Sequence, residues 1–91
     1  MPKITIQNKT KKTNSALPNG VKLLITVGTA EPVKLDIDKS QTFNVARNQV
    51  IRIQPENKIM QGANYTALDG NDKTLSIVPS DDLNVFGVKI A

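Results

Sequence analysis

Three short stretches hold the residues whose types and spacing could do chemistry. Lys9-Thr10-Lys11-Lys12 places three ammonium groups within four residues. With Lys3 they could contact phosphates or another anionic surface, with an affinity that falls as salt rises. Asp69-Gly70-Asn71-Asp72 gathers carboxylate and amide oxygens on a turn, the hard ligands a calcium ion collects. Asp36 and Asp38, or Asp81 and Asp82, are its candidate partners. Arg47-Asn48 adds a guanidinium and an amide at another turn. The residues expected to touch a partner are therefore Lys9, Lys11, Lys12, Arg47, Asn48, Asp69, Asn71 and Asp72.

Each stretch also has a plainer reading. The lysine run contains no arginine and no interleaved aromatic on which a base could stack, and runs of charge are usually solvated. Asp, Gly and Asn are what a hairpin turn demands. A twelve-residue calcium loop begun at Asp69 would close on Ser80 instead of a glutamate. No metal or cofactor is expected.

The routes to catalysis are few. The chain has no histidine and no cysteine, so the commonest general base and the thiol nucleophile are both missing. Ser15, Ser40, Ser76 and Ser80 stand in no nucleophile-elbow pattern. A small sandwich also has little room for a substrate pocket. The chain is expected not to be an enzyme and to have no catalytic residues.

Tyr65-Thr66-Ala67-Leu68-Asp69-Gly70, followed by Lys73-Thr74-Leu75-Ser76-Ile77, superficially resembles the opening of a LysM peptidoglycan-binding module. The spacing departs from that family's pattern. Its amphipathic helices are also missing, and Pro79 stands where one would start.

These stretches must be held by a chain of 91 residues, enough for one domain with a modest core. Phe43, Tyr65 and Phe86 are the only aromatics, so the core must be built from Ile, Val and Leu, which suit strands. Residues 1–22 carry five lysines and no acid, whereas residues 31–91 carry seven cations against eight acids, which together give the net +4. The N-terminus has no apolar run of signal-peptide length, and Leu23-Leu24-Ile25 is too short to span a membrane. Membrane insertion is not expected.

Period-two alternation marks the elements. Lys3 to Gln7 puts Ile4 and Ile6 on one face. A basic, flexible loop is expected over about residues 8–16, and Pro18-Asn19-Gly20 turns the chain. Val21 to Thr29 is the longest expected strand, central or at a subunit contact. Val33, Leu35 and Ile37 line another. Thr42 to Gln54 reads as a hairpin with a three-residue loop, Arg47-Asn48-Gln49. That loop sets Phe43 against Ile53 and Val45 against Ile51, and it needs a positive φ at Asn48 or Gln49. Short strands follow at Asn64 to Leu68, Thr74 to Val78 and Asn84 to Ile90, the last with Phe86, Val88 and Ile90 on one face. Two stretches, Asn8-Lys9-Thr10 and Asn64-Tyr65-Thr66, match the glycosylation triplet, as chance would give in a chain this rich in Asn and Thr.

Eight or so short strands with turns every 8–12 residues predict a single all-β domain over residues 1–91. The expected form is a small antiparallel sandwich of immunoglobulin-like type, with a small closed barrel as the alternative. The function expected of it is a non-catalytic interaction or structural module. It would bind a protein partner or assemble with itself, as in a phage particle or on a bacterial surface. A basic nucleic-acid-binding barrel is the alternative, motivated by the N-terminal lysines with Arg47 and Arg52. A carbohydrate-binding module is a third reading, short of the aromatic platform such sites favour.

Overall fold

A computed structural model of the chain describes residues 2–11, 20–56, 62–68, 70–79 and 86–90, with every side chain there except those of Pro79 and Phe86. Among them are eight strands: β1 (Lys3–Asn8), β2 (Leu23–Val27), β3 (Val33–Leu35), β4 (Ser40–Asn44), β5 (Val50–Pro55), β6 (Ala63–Thr66), β7 (Lys73–Pro79) and β8 (Phe86–Ile90). They form two four-stranded sheets, ordered β4-β1-β7-β8 and β3-β2-β5-β6. Every neighbouring pair is antiparallel except β1 and β7, which run parallel. The barrel alternative is thereby corrected, because the strands close into two separate sheets.

Alternation decides which side chains lie between the sheets. The first sheet contributes Ile4, Ile6, Leu75 and Ile77, and the second Leu23, Ile25, Leu35, Ile51 and Ile53. Val21, Val45 and Ala67, on the connections, complete the buried cluster, while Phe43 and Tyr65 pack against its margin. Among the described residues the buried core is aliphatic, as the scarcity of aromatics predicts. β2 lies between β3 and β5, so the longest apolar run is an inner strand and not an edge open to a subunit contact. The alternation expected through Ile37 stops earlier, because β3 ends at Leu35 and the chain turns at Asp38 with φ of 63°.

The expected central hairpin does not form. β4 pairs with β1, where Phe43 opposes Ile4, and β5 pairs with β2 and β6, where Ile53 opposes Ile25 and Ala63. The segment from Val45 to Gln49 is a corner between sheets. The connection spans five residues and not the expected three, and Gln49 N donates to Ala46 O at 3.0 Å within it; of the expected turn, the positive φ is found, at Asn48, 68°. The predicted inward set also survives. Alternation specifies which side chains point at the core, but not whether two inward rows share a wall or face each other from opposite walls.

A second correction concerns the expected loop over residues 8–16. Asn8 is the last residue of β1 and is fully buried, in phase with Ile4 and Ile6, and Thr10 is buried as well. The Asn8 amide donates to Val21 O at 2.9 Å and to Leu35 O at 3.0 Å. Its Oδ1 accepts from Thr10 N at 3.2 Å and Thr10 Oγ1 at 2.6 Å. Thr10 Oγ1 in turn accepts from Val21 N at 2.9 Å. Two short polar side chains thus tie the end of β1 to the segment before β2 and to the end of β3, and no buried polar side-chain atom among the described residues lacks a partner. Gly20 closes on this cluster with φ of 77°, and a Cβ there would stand 3.0 Å from Lys11 N and Thr10 Oγ1. Lys12 and the residues up to Asn19 lie outside the described residues.

Candidate interaction surfaces

The topology divides the expected partner-contacting residues between two ends of the sandwich. At one end β1 finishes, and Lys9 N donates to Ile77 O on β7. Lys9 and Lys11 are exposed here, near the start of β2 and the β3–β4 turn through the Asn8 bonds. At the other end β1 begins. Lys3 N donates to Asp72 Oδ1 at 2.7 Å, which ties the first strand to the turn before β7. The Arg47–Asn48 turn is here too: Asn48 N donates to Ala67 O at 2.6 Å and Arg47 Nε to Leu68 O at 3.1 Å. Asn71 lies exposed beside Asp72. Arg47, Asn48, Asn71 and Asp72 thus lie at one end of the sandwich, and Lys9 and Lys11 are set the length of β1 away, about 17 Å at 3.3 Å per residue. Lys12 and Asp69 lie outside the described residues.

This arrangement disperses the charge that is contiguous in sequence. Lys22 pairs with Asp36 at 3.8 Å, and Lys34 with Glu56 at 3.4 Å. Both are half-exposed pairs of the kind that contribute little to stability. Arg52 lies on the outer face of the second sheet, opposite Thr26 and Asn64. Among the described residues the cations are spread over both ends and a sheet face and interleaved with Asp36, Asp38, Glu56 and Asp72. A nucleic-acid footprint would gather them into one stripe. The acidic turn fares similarly, since Asp72 already accepts the Lys3 amide, and no group of three or more potential metal ligands occurs among the described residues. Phe43 and Tyr65 turn toward the core and leave no stacking platform between them.

The middle rows of the outer face of the first sheet are uncharged, with Lys3 and Lys89 at its margins. Thr42, Thr5 and Thr74 stand in one row across β4, β1 and β7, and Ser40, Gln7 and Ser76 in the next. Thr5 and Thr42 share a hydrogen bond of 2.9 Å, and Ser76 Oγ donates to Gln7 Oε1 at 3.0 Å. These groups satisfy one another along the sheet and enclose no buried site. Of the LysM-like stretch Tyr65 to Gly70 and Lys73 to Ile77, Tyr65 and Thr66 lie in β6 and Lys73 to Ile77 in β7, in different sheets, and Asp69 lies outside the described residues.

Which strands form the sheet edges was not legible in the sequence, because strand order is not written in it. Hydrogen-bond phase shows what each edge offers. Asn8 N donates to Lys39 O and Val45 N to Pro2 O, so the bonded β1–β4 pairs include Ile4/Phe43 and Ile6/Gln41. The backbone N–H and C=O groups of Ser40, Thr42 and Asn44 consequently point away from the sheet. On the other side, the bond from Lys9 N to Ile77 O aims the Ile77 backbone at β1. Ser76 and Val78 then aim theirs at Lys89 and Gly87 of β8, and the backbone groups of Phe86, Val88 and Ile90 point outward. No described strand pairs with the outer side of β4 or β8.

No protein-family model, curated protein or solved structure matches this chain. Among the described residues no helix is long and apolar enough to cross a membrane.

Proposed function

We propose that this chain is a non-catalytic interaction module that docks a protein partner, or a copy of itself, through the edges of its first sheet. The observation that supports this most is that β4 and β8 each turn a row of backbone donors and acceptors outward, the groups an added strand would pair with. β4 carries no charged residue along Ser40–Asn44, and β8 carries only Lys89, so neither edge has the density of charge that commonly blocks pairing. The loops at the two ends, with Lys9 and Lys11 at one and Arg47, Asn48 and Asp72 at the other, would add specificity around such contacts. The immunoglobulin-like description applies in the broad sense of a two-sheet scaffold that presents loops and edges. A phage-particle or bacterial-surface component is a setting that uses such scaffolds, an analogy of fold alone.

The test is solution mass by light scattering at two salt concentrations, with and without added DNA or RNA, together with a pull-down from the source cells. Self-association or capture of a defined protein, insensitive to nucleic acid, is the expected result. A monodisperse monomer that retains no protein overturns the reading. Retention of nucleic acid at about 50 mM salt that is lost at moderate salt overturns it in favour of the lysine block.

A further inference from the structure

The four sheet edges are not equivalent. β3 has only three residues, with Lys34 at its centre and Pro32 just before it, both features that blunt an edge. β6 has four residues. β4 is five residues long but polar, and Phe43, its one large apolar residue, packs against the core. β8 differs from all three. Its inward-facing row includes Val88, which packs against the core, and Ile90, which remains 56% exposed. Ile90 stands opposite the fully buried Leu75. The core-facing row of the first sheet therefore runs on past the cover that the second sheet provides.

From this edge we infer that β8 pairs with β8 of a second copy, antiparallel about a two-fold axis at Val88, and joins two first sheets into one continuous sheet. The inference rests on the interaction-module reading and names its partner. Three features of β8 fit this register. First, the residues with outward backbone groups are Phe86, Val88 and Ile90. An axis at Val88 opposes Val88 to Val88 and Phe86 to Ile90, and each of these pairs can exchange both of its bonds. Second, Phe86, Val88 and Ile90 are all apolar residues, and pairing continues across the axis the core-side row that Val88 and the exposed Ile90 form. Third, the one charge in the strand does not meet its own copy. Lys89 falls opposite Gly87, which has no side chain to crowd it, whereas like charges directly opposed would destabilise the pair. β8 is thus complementary to itself in this one register. A contact of five residues per strand lies at the small end of interfaces, so the association is expected to depend on concentration.

The test uses the whole chain and its freedom from cysteine. Light scattering over a concentration series should rise from the chain mass of 9.9 kDa to twice that value. Ile90→Lys should hold the protein at monomer mass with its β-type circular dichroism unchanged. Val88→Cys should form a disulfide-linked dimer on mild oxidation, because directly opposed residues of a bonded pair lie about 5.5 Å apart at Cα. Thr42→Cys, at the centre of the other edge, should not. Were Val88→Cys to fold poorly, Ile90→Lys alone would still decide. A wild-type chain that stays monomeric throughout overturns the β8 inference, while the wider reading then stands or falls with the pull-down. A dimer that survives Ile90→Lys and cross-links through Thr42→Cys also overturns it, and moves self-association to β4.

Discussion

Asn8 stands between two lysine-bearing segments and reads as solvated, yet its side chain is fully buried and makes four hydrogen bonds. Its amide satisfies two carbonyls, Val21 O and Leu35 O, and its Oδ1 receives both donors of Thr10. Removing it takes a donor from Leu35 O and an acceptor from Thr10 N where water does not reach, while Val21 O keeps the Thr10 hydroxyl at 3.1 Å. Leaving buried polar groups unpaired costs about 1–3 kcal/mol each, so Asn8→Ala should destabilise by about 2–4 kcal/mol. Urea melts should show a lower midpoint with an unchanged slope. Lys11→Ala, at an exposed side chain three residues later, should stay within about 0.5 kcal/mol of wild type. The phase was legible, since Asn8 follows Ile4 and Ile6 at the same two-residue spacing. Residue type spoke against burial and phase spoke for it, and phase prevailed because the amide found all its partners.

At the scale of the strands, burial and edge position set the cost of a change. Ile51 is fully buried on an inner strand, whereas Phe43 packs at the margin from the edge strand β4. Ile51→Ala should therefore cost about 2–5 kcal/mol, and Phe43→Ala less, because part of its ring already meets water. Thermal or urea unfolding of both variants checks the order. Hydrogen-bond phase gives a sharper contrast on β4. Gln41 N–H belongs to a bonded pair with Ile6, whereas Thr42 N–H points outward. Gln41→Pro should thus be the more destabilising of two neighbouring prolines by at least about 1 kcal/mol, the net worth of one hydrogen bond. Equal losses would mean that the ladder runs in the other phase. The corner at Val45–Gln49 shows why the hairpin was misread. The inward set Phe43, Val45, Ile51 and Ile53 was legible from alternation, but the same set suits one wall or two.

For the whole molecule, the decisive feature is that β1, at the start of the chain, pairs with β4 and with β7. Lys3 is bonded to Asp72 across 69 residues of sequence. The first sheet cannot assemble until most of the chain is in place, and closing long loops must precede the reward of pairing them. Folding should accordingly be slow for a 91-residue chain, in the millisecond-to-second range typical of sandwiches. Stopped-flow refolding with a single-exponential chevron is the measurement, and microsecond folding would contradict this topology. The same long-range assembly scatters the N-terminal charge. Of the five lysines within residues 1–22, the four among the described residues, Lys3, Lys9, Lys11 and Lys22, form no single stripe.

The sequence by itself determined the all-β class, the number and approximate position of the strands, an aliphatic core and a positive φ at Asn48 or Gln49. All of these are local consequences of alternation, turn chemistry and composition. Only the tertiary structure decided that β4 and β5 part at a corner and that β1 runs parallel to β7. It also decided that Lys9 and Lys11 stand at the far end from Arg47 and Asp72, and that β8 is an edge with Ile90 exposed. These are matters of which strand lies beside which. Alternation tells a strand which face to bury and says nothing of its neighbours, so pairing is selected by how both sheets together enclose one core.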